Sequence, residues 1–153
     1  TIAFAPNRGP LPTLKITVSF SSVNYPTSIR CFDVQGAAAA PFDVAASNLP
    51  TSCPAPVGNT SAAPSITPTT AKGLTIAGMP MGTGPVEGVV GPANAIFDLA
   101  YYTGETDFDM MENADAVGHY YNPDLSTENW SWTTAPQSGA NCQGTQAVHF
   151  KAQ

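Results

Sequence analysis

Acidic side chains crowd into the stretch GETDFDMMENAD, residues 104–115, which carries Glu105, Asp107, Asp109, Glu112 and Asp115. Carboxylate oxygens so close together are ligands for a hard cation, and in an extended strand Asp107 and Asp109 project to the same side. Asp107, Asp109 and Glu112 therefore form a candidate calcium site, calcium being the one cofactor the sequence raises. The stretch lacks the D-x-[DN]-x-[DN]-G spacing of an EF-hand, and a solvated acidic edge that discourages strand pairing is the competing reading. Paired carboxylates also raise glycoside hydrolysis, which needs two acids about 5–9.5 Å apart, one of them against an apolar wall. Glu112, beside Met110 and Met111, and Glu128, beside Trp130, have such walls, but any acidic β-protein supplies pairs of this kind.

Aromatic residues offer a second chemistry. Trp130 and Trp132 are two apart and share a face in a strand. Exposed together with Tyr120 and Tyr121, they would form a stacking platform for sugar rings or a hot spot for a protein partner; buried, they are core. His119 and His149 lie far apart, no G-x-S-x-G elbow anchors a nucleophile, and His149, between Val148 and Phe150, reads as a surface-facing alternation residue. The glycine-rich GMPMGTGPVEGVVG carries no lysine where a phosphate loop needs one. No residue set commits the chain to catalysis, so the expectation is a non-enzyme.

The three cysteines, Cys31, Cys53 and Cys142, have no zinc-type spacing. In an oxidising compartment Cys53, in a Pro-flanked loop, can pair with Cys142, in a Gly-flanked turn; spacing admits any of the three pairings. Asn59-Thr60-Ser61 and Asn129-Trp130-Ser131 are glycan acceptor triplets in a host that glycosylates.

The elements that must position these groups are strands. Leu14, Ile16, Val18 and Phe20 alternate with polar residues, the chain turns at Ser21 to Thr27, and Ser28 to Val34 alternate again. Thr1 to Ala5 already alternate, so the domain opens inside a strand and its N-terminal strands are expected to be missing or supplied by a partner. Ala37 to Ala40, followed by Pro41, predict a turn or a short helical step, then a short Phe42-Asp43-Val44 piece and a long Ser/Thr/Pro loop. That loop is a candidate contact surface or a passive edge cover. Strands are predicted again at 74–79, 85–90 and 95–102, one or two within 108–121, and a closing pair at 128–134 and 146–151. Residues 95–102 read as strand because Phe97, Leu99 and Tyr101 share a face between Gly91-Pro92 and Thr103-Gly104. About nine short strands with no long helix describe an all-β chain, an antiparallel β-sandwich or jelly roll with long Ser/Thr/Pro-rich loops, and 153 residues make one domain, 1–153.

Composition narrows the setting. Only 10% of residues are charged, against about 25% in typical globular domains, while Gly (13) and Pro (15) punctuate turns. The net charge is −6, and Arg8, Lys15, Arg30, Lys72 and Lys151 are scattered, so nucleic acid is not an expected partner. The longest uncharged run, between Asp43 and Lys72, is too rich in Pro, Ser, Thr and Asn to enter a membrane. Thr1 to Ala5 lack the basic start and apolar middle of a signal peptide; if the protein is secreted, the signal has been removed.

The succession KITVSFS (15–21), SIRCFDVQG (28–36), PFDVAAS (41–47), PSITPTTAKGLTIAG (64–78), FDMMENADAVG (108–118), ENWSWT (128–133) and QAVHFKA (146–152) resembles the uncharacterised β-sandwich domains, lectin-like jelly rolls, of large secreted or surface bacterial proteins. The resemblance covers most of the chain and is one of strands and turns, with no catalytic residues to carry over. It implies an extracellular, cell-surface or periplasmic setting and a structural or adhesive module whose partners are subunits of a larger assembly. The runner-up expectation is a carbohydrate-binding module, and a glycoside hydrolase ranks below it.

Overall fold

A computed structural model describes residues 17, 32, 34–48, 60–62, 65–81, 86–100, 115–134 and 144–153. Apart from Thr17, Phe32 and Val34, the strands expected within residues 1–34 lie outside the described residues, as do all three cysteines, Asp107, Asp109 and Glu112.

Among the described residues eight strands follow one another: β1 (Ala37–Asn48), β2 (Thr60–Ala62), β3 (Gly73–Met81), β4 (Val86–Val90), β5 (Ile96–Ala100), β6 (Asp115–Asn122), β7 (Ser131–Thr134) and β8 (Gly144–Ala152). They form a five-stranded sheet in the order β1-β8-β3-β6-β5 and a three-stranded sheet in the order β2-β7-β4. Every pairing is antiparallel. The alternation of β1 to β4 between the two sheets, with β8 set between β1 and β3 and β7 between β2 and β4, is the strand interleaving of a jelly roll. β5 departs from it by pairing with β6 in the large sheet, Phe97 lying opposite Gly118. Gly118 makes this possible. A Cβ there would stand 2.9 Å from both the Phe97 ring and the Trp130 indole, and in the space it leaves these two rings pack edge to face, centroids 5.8 Å apart.

Between the sheets lie Ile66, Trp130 and Trp132, packed on Ala77, Met79 and Ala147 of the large sheet. The two indoles stack with centroids 6.4 Å apart and planes 11° from parallel. At about 25 cal/mol per Å² and roughly 200 Å² per indole, each contributes on the order of 5 kcal/mol of gross burial energy. Trp132 Nε1 has no hydrogen-bond partner among the described residues, a cost of about 1–3 kcal/mol that the burial outweighs.

The large sheet is apolar on its other face too, where Leu74, Ile76, Val117, Val148 and Phe150 form a second cluster joined by Val34. β8 is therefore enclosed on both faces, and this overturns the reading of His149 as a surface residue: it is 0% exposed. Alternation does place Val148 and Phe150 on one side and His149 on the other, but the second side faces the small sheet rather than water.

A second correction concerns Ala37 to Ala40. They begin β1, a twelve-residue strand on β8, and not a turn or helical step. Pro41, which has no N–H for a ladder, sits in an interval where the register shifts between Ala37 and Phe42, and a further shift between Phe42 and Val44 leaves Asp43 as an inserted residue. No helix among the described residues is long and apolar enough to cross a membrane.

Candidate functional site

The side chains with chemical capacity gather at one end of the space between the sheets. The bulge in β1 turns Asp43 inward, where its side chain is 1% exposed. Asp43 Oδ2 accepts from His149 Nδ1 at 2.8 Å and from the Thr69 backbone N–H at 2.8 Å, and Oδ1 accepts from the Thr69 hydroxyl. Thr70 contributes longer contacts from its N–H and hydroxyl, both at 3.4 Å, and Lys151 Nζ stands 4.0 Å away. Burial pushes the Asp43 carboxyl up, but the bonds from Thr69 and His149 outweigh it and hold the pKa down at about 2. Asp43 thus fastens the 65–72 loop to β8.

An aspartate on imidazole Nδ1 is the arrangement that orients a general base. Here the other nitrogen meets no hydroxyl or thiol to act on among the described residues. His149 Nε2 is buried with no hydrogen-bond partner among the described residues, and it abuts Gly73, where even a Cβ would stand 2.2 Å from it. Thr75 faces His149 across the β3–β8 ladder, but its hydroxyl is committed elsewhere.

That commitment is to Glu128. Thr75 Oγ1 and Asn122 Nδ2 each donate to Glu128 Oε1 at 2.8 Å, and the Trp130 indole N–H donates to Oε2 at 3.2 Å. Glu128 is 2% exposed, and no cation pairs with it among the described residues. It is placed by an isolated bridge to Ile66, with N–H to carbonyl distances of 2.8 and 3.1 Å. Asn122 is oriented in turn by the Asp124 N–H, which donates to its Oδ1 at 2.8 Å. Asp124 lies outside the buried set; the Ser126 hydroxyl and N–H hold its carboxyl below the ordinary range.

The structure scatters the residues that the sequence suggested. Trp130 and Trp132 are 1% and 0% exposed, so of the two readings the sequence allows it is the core one that holds: both are taken up by the contact between sheets. Tyr120 packs against that same core. Tyr121, the next residue along β6, points to the opposite face and is 68% exposed, with His119 edge-on at 6.0 Å and Phe32 edge-on to His119 at 6.1 Å. Of the two acids considered for hydrolysis, Glu128 is sealed beside Trp130 and Glu112 lies outside the described residues. The calcium candidates Asp107, Asp109 and Glu112 and the disulfide candidates Cys53 and Cys142 lie outside them as well. Among the described residues no group of three His, Cys, Asp or Glu side chains is arranged to hold a metal.

Sequence reasoning missed Asp43, His149, Thr75 and Asn122. Asp43 and His149 are 106 positions apart, and the available signal was a charged or titratable residue inside an apolar run, PFDVA and AVHFK. No protein family, curated protein or solved structure matches the chain.

Proposed function

We propose that the chain is a non-catalytic structural or adhesive module of a larger extracellular bacterial assembly, and that it meets its neighbour along the side where the edges of its two sheets come together. Among the described residues β4 is one of the two outer strands of the small sheet, β5 one of the two outer strands of the large one, and residues 91–95 join them in a turn. Ala95 N–H closes this turn on the Pro92 carbonyl at 3.0 Å, and Asn94 takes the left-handed conformation it needs, φ 71°. The observation that carries the reading is Val90 and Ile96, 65% and 52% exposed on either side of the turn. Two large apolar residues on adjacent sheet edges suit strand addition or edge-to-edge docking, in which backbone bonds give affinity and side chains give register. The enclosure of Asp43 and His149 also supports a role by contact, since these groups are occupied in holding the sandwich together.

A photo-crosslinking amino acid placed at residue 90 or 96 is expected to join the chain to one discrete partner in its source cells. The same probe at Leu125, equally exposed but in the β6–β7 loop, should give none. Equal, diffuse products from all three positions would overturn the assignment.

Tyr121 favours a second reading, the carbohydrate-binding module. A tyrosine ring held edge-on by His119 and open to solvent is a stacking surface for a sugar. On a glycan array this reading requires binding that Tyr121→Ala abolishes.

A further inference from the structure

Glu128 poses a problem that holding the fold together does not solve. A carboxylate removed from water is costly unless a cation or a full set of donors compensates it, and a glutamine or leucine would fill the same space without a charge. What distinguishes Glu128 is the pair of groups that share one of its oxygens. Oε1 accepts from a hydroxyl, Thr75 Oγ1, and from a primary amide, Asn122 Nδ2, both at 2.8 Å. These are a nucleophile and a leaving group placed on one base. Thr75, Asn122 and Glu128 are 0%, 1% and 2% exposed, so water does not compete for the amide carbon. The Asn122 carbonyl oxygen already accepts the Asp124 N–H at 2.8 Å, a donor where negative charge would develop. Glu128 Oε2 is fixed by the Trp130 indole at 3.2 Å. Asn122 precedes Pro123, which has no N–H, so the attack by the following backbone nitrogen that converts other asparagines to succinimides is closed to it.

The geometry points to an intramolecular ester bond between Thr75 and Asn122, formed by the folded chain itself with Glu128 as catalytic base and acid. Glu128 takes the hydroxyl proton as Thr75 Oγ1 attacks Asn122 Cγ, and the tetrahedral oxyanion is held by the Asp124 N–H. Glu128 then returns the proton to Nδ2, the C–N bond breaks and ammonia leaves. Hydroxyl plus amide becomes ester plus ammonia, with no oxidant or other reactant required. The product ties β3 to β6 and closes the chain between them into a covalent loop, which deprives the unfolded state of conformational freedom as a disulfide does. This chemistry is independent of the contact surface proposed above.

Intact mass spectrometry of the reduced, full-length protein tests it. The wild-type chain, incubated folded at neutral pH, is expected to weigh one ammonia less than its sequence, and hydroxylamine, which cleaves esters, should open the bond. Thr75→Val and Glu128→Gln should keep the full sequence mass, while Thr75→Ser should still lose ammonia. Cleavage after glutamate provides a check that needs no variant. Glu87, Glu105 and Glu112 all lie between Thr75 and Asn122, so the two residues leave on one product only if they are joined. A wild-type chain of full mass, an ammonia loss that persists in Thr75→Val, or separate glutamate-cleavage peptides from a lightened chain would each overturn the proposal.

Discussion

At the scale of single residues, the ionisable groups inside the sandwich act as fastenings, and their titration should show it. Asp43 has a folded pKa of about 2, below the 3.8 ordinary for an aspartate. Its contribution is therefore fully present above the unfolded pKa and is lost as pH falls from about 4 toward 2. Allowing for screening, that contribution is on the order of 1–2 kcal/mol. In the wild type the thermal midpoint should drop by several degrees across this window, and Asp43→Asn should flatten that part of the curve. Unchanged acid sensitivity in Asp43→Asn would show that the carboxylate does not fasten the 65–72 loop. Glu128→Ala removes the acceptor of Thr75, Asn122 and Trp130 together. Each orphaned donor costs about 1–3 kcal/mol, offset in part by relief of the buried charge, so urea unfolding should register a net loss of about 2–4 kcal/mol, to which loss of the Thr75–Asn122 ester adds. None of these partnerships was legible in the sequence, because each joins residues that only the folded strand order brings together. Trp130 did stand out beside Glu128, but as the wall of a catalytic acid, whereas its indole N–H helps to seal that acid in.

At the scale of elements, legibility followed the period of two. β3, β5 and β8 alternate clearly and were expected close to where they form. β5 resolved as a strand because Phe97 points to the core while Ile96 points out. β1 was missed because its Ala-Pro run has weak strand propensity of its own; the ladder to β8 supplies what local sequence does not. Alternation also cannot tell one covered face from two, and so His149 was placed outside. The central position of β8 makes a prediction for hydrogen exchange. Amides of β8 and β3 should open only with global unfolding, while those of β2 and β5 exchange first by local opening. Protection in β5 equal to that in β8 would contradict the strand order. Gly118→Ala should cost about 1–3 kcal/mol in denaturant unfolding, since its methyl would press on both Phe97 and Trp130. A neutral result would mean that these rings are not held against the backbone of β6.

At the scale of the whole molecule, the all-β sandwich was legible from composition and spacing, because few charges, many turn residues and short alternating runs leave few other ways to bury a core. The proposed contact surface was not, since which strands remain at the ends of the two sheets depends on the whole strand order. The central claim is that the chain works by engaging a neighbour along that side. Native mass spectrometry of the protein isolated from its source tests it most directly, with a Val90→Glu, Ile96→Glu double variant alongside. The wild type should travel in a stoichiometric complex of defined mass that the double variant, still folded by circular dichroism, fails to form. A wild-type chain that travels alone at 15.8 kDa, or a double variant that assembles as well as the wild type, would contradict it.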